Sequence, residues 1–271
     1  LGAALHYYHN VLGKNRIVNK NDSMNGSLLG RKIKNKDIKN FLDKNNIKYT
    51  YKHKKALMSE IANKIDEENV IGWFQGRMEF GPRALGSRSI IGDAKSKKMQ
   101  SIMNLKIKFR ESFRPFAPIV LEENMNEYFD LDAPSPYMLL VSPVQESIRK
   151  TNKKNKNIDV IKEVNEVRST IPAVTHVDYS ARIQTVDKKR HGYLYDLLKE
   201  YRRITGCSVL VNTSFNVRGE PIVYTPHDAY NCFMLTDMDY LVMGNYILDK
   251  KQQDEWSDDL KSKYLNKFEL D

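Results

Sequence analysis

The sequence predicts a mixed α/β fold in one principal domain. Short apolar runs that fit buried strands alternate with segments whose apolar residues recur every three or four positions, the period of an amphipathic helix. At 271 residues, 41% of them apolar, the chain can also bury a substantial core. We therefore expect a sheet flanked by helices.

The order of elements follows from the same patterns. Predicted helices span 37–46, 53–68, 93–105, 122–129, 192–205 and 226–235. Predicted strands span 70–74, 89–92, 118–121, 137–144, 173–177, 182–186, 208–212 and 240–248. Asp93 is placed to cap the helix after strand 89–92, and Thr225, Pro226 and Asp228 form a capping pattern at the start of the last helix.

Domain limits can be predicted at both ends. The chain opens on a helical pattern without an initiator methionine, which predicts that it starts inside a longer polypeptide. A polar, glycine-bearing stretch then continues to residue 31 and reads as a linker. We place the principal domain at 32–250 and a C-terminal tail at 251–271.

The net charge of +10 does not by itself indicate a nucleic-acid surface. The lysine- and asparagine-rich stretches 14–55 and 149–162 contain few aromatic residues, which favours solvated linkers or insertions. No apolar run reaches about eighteen residues and no signal peptide is present, so we expect a cytoplasmic protein without membrane contact. Cys207 and Cys232 lack metal-ligand spacing and are expected to be buried, without a disulfide or zinc.

Three segments concentrate polar chemistry, at 76–89, 106–118 and 211–221. In the first, glycines allow close backbone approach and guanidinium groups crowd together: Gly76, Gly81, Gly86, Arg77, Arg83 and Arg88. Only Glu79 interrupts these cations, so an anion is expected to balance them, and the planar guanidinium suits phosphate oxygens. The alternative is that individual arginines pair with local carboxylates.

The other two segments add further candidates. Lys106, Lys108, Arg110 and Arg114 lie within nine residues, and an extended chain would put the even-numbered side chains on one face. Asn212, Ser214 and Asn216 follow a strand, where such side chains either bind a ligand or cap a turn. His176 and Asp178 could pair or bind a ligand, and a structural pair is the favoured interpretation. These residues predict a polyanion pocket and do not define its reaction.

Four blocks resemble the NodU and CmcH type of carbamoyltransferases, the family that includes tobramycin O-carbamoyltransferase. They are GRMEFGPRALGSRS at 76–89, FRPFAP at 113–118, HVD followed by ARIQTV at 176–186, and NTSFNVRGEPIV at 212–223. The resemblance implies a YrdC-like domain with a twisted mixed sheet, and makes the residues before 32 the end of an upstream actin-like and sugar-kinase-like domain plus a linker.

The resemblance also implies an activity. The YrdC-like domain of this family forms carbamoyl-adenylate from ATP and carbamoyl phosphate, and the upstream domain passes the carbamoyl group to an acceptor hydroxyl. Magnesium is expected to accompany ATP, whereas the family's iron-type metal site belongs to the upstream domain, so no resident metal is expected here. Alternatives are an RNA-binding YrdC-like module and an activating domain for a different carbamoyl-type acyl group.

Residue roles follow by matching the blocks. Lys108 and Arg110 resemble the family's lysine-x-arginine pair, and Ser214 and Asn216 its serine-x-asparagine pair. The predicted catalytic residues are Arg83, Lys108, Arg182 and Ser214. The predicted substrate and ATP ligands are Arg83, Arg88, Lys108, Arg110, Arg114, Arg182, Asn212, Ser214 and Asn216. The stretch 145–166 is longer than the family core needs, and Tyr179 stands where a small residue is expected.

Overall fold

The structure is a computed structural model, and it describes residues 1–19, 21–150 and 166–268. The helices are α1 (Gly2–His6), α2 (Asn35–Lys44), α3 (Lys54–Asp66), α4 (Met99–Ile102), α5 (Met125–Tyr128), α6 (Lys188–Thr205), α7 (Pro226–Leu235) and α8 (Asp258–Leu265). The strands are β1 (Thr50–Tyr51), β2 (Ile71–Phe74), β3 (Arg88–Asp93), β4 (Ala117–Leu121), β5 (Leu140–Pro143), β6 (Ser180–Val186), β7 (Val209–Ser214), β8 (Tyr240–Met243) and β9 (Tyr246–Asp249).

The strands form one mixed sheet in the order β1-β9-β8-β2-β3-β7-β4-β6-β5. Strand β2 runs parallel to β8 and β4 parallel to β6, and the other neighbouring strands are antiparallel. The central strands β2, β3 and β4 are buried along their whole length, as expected for strands covered on both faces. The predicted mixed α/β fold with a mixed sheet and flanking helices is confirmed.

Helices α3 and α6 pack against each other, and each buries an apolar stripe. The predicted cap of α7 is present: the Thr225 hydroxyl accepts from the Asp228 amide at 3.2 Å, and the Asp228 carboxylate accepts from the Thr225 amide at 2.8 Å. Helix α6 begins before the predicted 192 because the Asp187 carboxylate accepts the amides of Lys189 and Arg190.

The predicted helix 93–105 is wrong at its start. Asp93 is the last residue of β3, where it pairs with Leu210 of β7, and its carboxylate accepts the Tyr201 hydroxyl at 2.6 Å. Helix α4 begins only at Met99, after a turn in which the Ser96 hydroxyl accepts the amides of Lys98 and Met99 at 3.2 Å. Helix α4 then runs into a π-helical turn at Met103–Ile107.

Two strand predictions also need correction. The segment 173–177 is not a strand: a 3-10 turn at Pro172–Val174 leads into a reversal closed by the His176 amide on the Ser180 carbonyl, 2.9 Å apart. The segment 240–248 is a hairpin of β8 and β9, because Gly244 adopts φ +57° and turns the chain.

A helix lies near each end of the chain. Helix α1 is fully exposed, whereas Trp256, just before α8, and Tyr264, within α8, pack on the core. Residues 151–165 of the predicted insertion lie outside the described residues, and the domain limits remain predictions. Cys207 and Cys232 are buried and free. Across the described ranges no helix combines the length and apolarity needed to cross a membrane.

Candidate functional site

Side chains from distant segments meet at a cavity of about 160 Å³, hereafter the arginine cavity. Five predicted ligands line it: Arg83, Arg110, Arg182, Asn212 and Ser214. Arg83 comes from the loop between β2 and β3, Arg110 from the chain before β4, Arg182 from β6, and the last two from β7. Because β7 lies between β3 and β4, the sheet order brings all three predicted segments to one place.

Two of these arginines, Arg83 and Arg182, line a cavity that has no carboxylate among its lining residues. Burial, and then the positive charge of Arg83, lower the pKa of Arg182. The Arg182 Nε is buried and has no hydrogen-bond partner among the described residues, and its Nη2 meets only the Met138 sulfur, at 3.7 Å. Two cations on one cavity, one of them with an unmade hydrogen bond, form a site that an anion would complete.

Lys108 does not line the cavity, but its ammonium contacts Ser214, which does. Its buried ammonium contacts the Ser214 carbonyl at 2.5 Å, the Asn216 carbonyl at 2.7 Å and the Asn216 side-chain oxygen at 2.8 Å. The Ser214 hydroxyl is 3.3 Å from the same Nζ and donates to the Asn216 side-chain oxygen at 2.7 Å. Burial lowers the pKa of Lys108 to about 7. The ammonium is thus engaged with protein oxygens and sets the position of Ser214.

Arg110 and Asn212 are held by neighbours in the cavity wall. Arg110 Nε donates to the Asn104 side chain at 2.6 Å, and its guanidinium lies 5.0 Å from the centre of the Phe116 ring. Asn212 Nδ2 donates to the Ala84 carbonyl at 3.1 Å, whereas its buried Oδ1 has no partner among the described residues. Both side chains are therefore fixed before any ligand arrives.

Glu79 organises the loop that carries Arg83, a role that the sequence reasoning missed. One oxygen of its buried carboxylate accepts the amides of Leu85 and Ser87 at 2.7 Å and of Arg88 at 3.1 Å. Gly86 closes the loop at φ +100°, where a Cβ would come within 2.2 Å of Leu194. A single acid within a run of glycines and arginines was the available signal.

Two predicted ligands lie elsewhere. Arg88 is buried in the core, where its guanidinium stacks 3.6 Å from the Phe74 ring centre and donates to the Gln75 carbonyl. Arg114 is exposed and pairs with Glu111 at 2.9 Å. The expected extended chain through 106–110 is also wrong, since Lys108 follows a π-helical turn and Phe109 has φ +48°.

A larger cavity of about 500 Å³ adjoins the arginine cavity and shares Pro115 with it. His176 and Asp178 line it, together with Arg168, which sequence reasoning did not single out. The expected His176 and Asp178 pair is replaced by a shared partner: the Ser180 hydroxyl is 3.2 Å from His176, and the Ser180 amide donates to Asp178 at 2.9 Å. Tyr179 does not line this cavity, and the Arg149 guanidinium lies 5.2 Å from the centre of its ring.

The sequence of this chain matches a known protein family. The family described as Carbamoyltransferase C-terminus matches residues 62–250. The chain belongs to this family. The membership confirms the predicted resemblance, and the matched range contains every predicted ligand. No cluster of three or more His, Cys, Asp or Glu side chains that could hold a metal ion is present among residues 1–19, 21–150 and 166–268.

Relatives of this carbamoyltransferase C-terminal chain are longer proteins. The uncharacterised protein sll1178 of Synechocystis is 52% identical over 100% of this chain and 44% of that protein. Nodulation protein NolNO of Sinorhizobium fredii is 41% identical over 73% of the chain and 27% of that protein. Nodulation protein NolO of Bradyrhizobium diazoefficiens is 38% identical over 74% and 34%. The chain thus spans less than half the length of each.

The solved structure of full-length HypF in a phosphate- and nucleotide-bound form shows a weaker similarity. It is 13% identical with a TM-score of 0.42, over 70% of this chain and 25% of HypF.

Proposed function

We propose that this chain is the carbamoyl-activating part of a carbamoyltransferase, which binds ATP and carbamoyl phosphate at the arginine cavity and forms carbamoyl-adenylate. The observation that carries the proposal is the convergence of Arg83, Arg110, Arg182, Asn212 and Ser214 on that cavity. Membership of the carbamoyltransferase C-terminal family supports the carbamoyl chemistry. The acceptor hydroxyl would be served by an upstream domain.

The sizes of the two adjoining cavities suit the two parts of ATP, the phosphates in one cavity and the nucleoside in the other. A space of about 160 Å³ lies below the usual range of roughly 300 to 1,000 Å³ for whole-ligand pockets, so the arginine cavity suits phosphate-sized groups. The neighbouring 500 Å³ cavity has room for the nucleoside. Pro115, which lines both, would lie where the ribose meets the phosphates.

The proposed reaction is electrostatically assisted. Carbamoyl phosphate and water give carbamate and inorganic phosphate. A carbamate oxygen then bonds to the α-phosphorus of ATP as the bond to the pyrophosphate oxygen breaks, giving carbamoyl-adenylate and pyrophosphate. Arg83 and Arg182 would stabilise the charge that develops on the phosphoryl and leaving-group oxygens. Ser214, positioned by Lys108, would donate a hydrogen bond to a substrate oxygen.

This site could hold magnesium only if the ATP phosphates supply its anionic ligands. The cavity offers hydroxyl and amide oxygens from Ser214, Thr213 and Asn212, and none of its lining residues carries a carboxylate. Mg²⁺ prefers charged oxygen ligands and retains several waters. A magnesium ion arriving with ATP would therefore take its anionic ligands from the phosphates.

The proposal is tested by supplying the chain with ATP, Mg²⁺ and carbamoyl phosphate and measuring pyrophosphate release and carbamoyl-adenylate by mass spectrometry. We expect adenylate from the unaltered chain and none from Arg83→Ala or Arg182→Ala, with Lys48→Ala as an exposed charge-matched control. Activity with bicarbonate and threonine in place of carbamoyl phosphate would indicate a different acyl group. RNA binding that ATP and carbamoyl phosphate fail to displace would favour the RNA-binding alternative.

A further inference from the structure

Asn212 leaves one hydrogen-bond acceptor unused in the wall of the arginine cavity. The residue is 2% exposed and lines the cavity, and its backbone lies in β7, where it pairs with Ile91 of β3 and Ala117 of β4. Its side-chain Oδ1 is buried and has no hydrogen-bond partner among the described residues. Buried polar atoms in folded proteins nearly always have a partner, so an unpaired one beside a cavity points to a ligand atom.

The orientation of this amide group is fixed by its neighbours. Asn212 Nδ2 donates to the Ala84 carbonyl at 3.1 Å and to the side-chain oxygen of Gln184 at 2.9 Å. Gln184 is itself fully buried, and its Nε2 donates to the Leu85 carbonyl at 2.8 Å. Reversing the Asn212 amide would set its oxygen against two other acceptors, and reversing both amides would set Gln184 Oε1 against the Leu85 carbonyl. The unpaired atom is therefore the oxygen, an acceptor.

The Asn212 side chain shares one face of the sheet with Arg182. Ala117 pairs with Asn212, and Ile119 pairs with Gln184 in the parallel strands β4 and β6, so the residues two positions earlier, Ala117 and Arg182, also lie side by side. Asn212, Ala117 and Arg182 all line the arginine cavity. The residue between the amide and the guanidinium is an alanine, whose methyl group fills little of the space. One cavity thus combines an acceptor with cationic donors.

The unused acceptor matches one part of carbamoyl phosphate. Ionised phosphate groups bring only acceptors, and these suit the guanidinium groups of Arg83 and Arg182. The –NH₂ of the carbamoyl group brings hydrogen-bond donors, and it is present in carbamoyl phosphate, in carbamate and in carbamoyl-adenylate alike. An acceptor that holds this group would therefore keep the carbamoyl unit in place throughout the proposed reaction.

We propose that Asn212 selects the carbamoyl group, through a hydrogen bond that the substrate –NH₂ donates to its Oδ1. The inference rests on the proposed function and adds to it the chemical feature of the substrate that the site recognises. An acyl phosphate with a methyl group in place of –NH₂ gains no such bond and leaves the buried oxygen unpaired. The site should accordingly prefer carbamoyl phosphate to acetyl phosphate, although both carry the same phosphate group.

The test compares these two ligands by calorimetry. The unaltered chain should bind carbamoyl phosphate about tenfold more tightly than acetyl phosphate, and Asn212→Ala should reduce this ratio to about one, mainly by weakening carbamoyl phosphate. Arg83→Ala is the matched control: it should weaken both ligands alike and leave the ratio unchanged, because its guanidinium would contact the phosphate that they share. A substitution that merely distorts the cavity would also weaken both ligands, so the ratio separates recognition of –NH₂ from a structural role.

The outcomes separate this inference from the proposed function. If the unaltered chain binds the two ligands equally well, or if Asn212→Ala keeps the ratio of the unaltered chain, this inference is overturned and the proposed function stands. If the unaltered chain binds neither ligand, both fail.

A second measurement does not depend on the folding of Asn212→Ala. In the unaltered chain, the side-chain amide ¹H–¹⁵N signals of Asn212 should shift more on adding carbamoyl phosphate than on adding acetyl phosphate, because only the first ligand donates to the amide oxygen. Equal shifts with both ligands would overturn the inference.

Discussion

The Lys108 ammonium lies 2.5 Å from the backbone carbonyl of Ser214, a contact that joins two family motifs 106 residues apart. The same Nζ contacts two oxygens of Asn216. A lysine that sequence matching predicted as a phosphate ligand is thus engaged with protein oxygens. The structure places it where it fixes the serine and asparagine of the other motif.

Lys108 should make stability depend on pH. Burial lowers its pKa to about 7 from 10.5, so between these values the unfolded chain binds more protons and the free energy of unfolding rises with pH. From pH 7 to 9 we expect a rise of about 2 kcal/mol in the unaltered chain relative to Lys108→Met. Urea unfolding at both pH values measures this difference. Parallel pH curves for the two chains would contradict the assignment.

Arg83 should be dispensable for folding. It is exposed and repels Arg182, whose pKa it lowers, so its removal relieves a like-charge contact. We expect Arg83→Ala to leave the melting temperature unchanged or slightly higher while weakening carbamoyl phosphate binding at least about tenfold. Calorimetry of Arg83→Ala beside Lys48→Ala separates the two effects. Equal affinity in both variants would show that Arg83 is not a ligand.

Helix α8 should support the cavity from a distance. The Tyr264 hydroxyl donates to the Glu220 carboxylate at 2.7 Å, and the Glu220 carbonyl accepts from Asn216 at 2.6 Å. We expect Tyr264→Phe to cost about 1 kcal/mol of stability and to lower the rate of adenylate formation several-fold. Tyr51→Phe, at an exposed ring, is the matched control. Equal rates in the two variants would mean that α8 has no influence on the site.

Glu79 should matter through the loop it anchors. Glu79→Gln retains an oxygen acceptor but removes the negative charge that three amides share, so we expect a loss of about 1–3 kcal/mol in the free energy of unfolding. Because that loop carries Arg83, ligand affinity should fall as well. Chemical denaturation and calorimetry measure the two losses. If Glu79→Gln keeps both its free energy of unfolding and its ligand affinity, the loop does not depend on the Glu79 charge.

Local sequence signals predicted much of the fold. The Thr225 cap and the buried strand 70–74 depend on neighbours within a few residues, and both appear as expected. The errors arose where distant contacts override local pattern. Asp93 looked like a cap, but pairing with β7 and the Tyr201 hydroxyl hold it in β3.

The site shows the same division. Composition indicated which segments carry cations, and the sheet order brings Arg83, Arg110 and Arg182 to one cavity. Composition could not distinguish an arginine that faces a cavity from one that enters the core, as Arg88 does by stacking on Phe74. It also could not show that the buried His191 ring has no hydrogen-bond partner among the described residues, because that depends on how the chain near Gly26 packs on α6.

The most direct test is a crystal structure of the chain with carbamoyl phosphate and a non-hydrolysable ATP analogue. We predict phosphate oxygens within hydrogen-bond distance of the guanidinium groups of Arg83 and Arg182, with the nucleoside in the cavity beside Pro115. Electron density for both ligands at another surface, with no ligand atom near these two guanidinium groups, would contradict the proposed function.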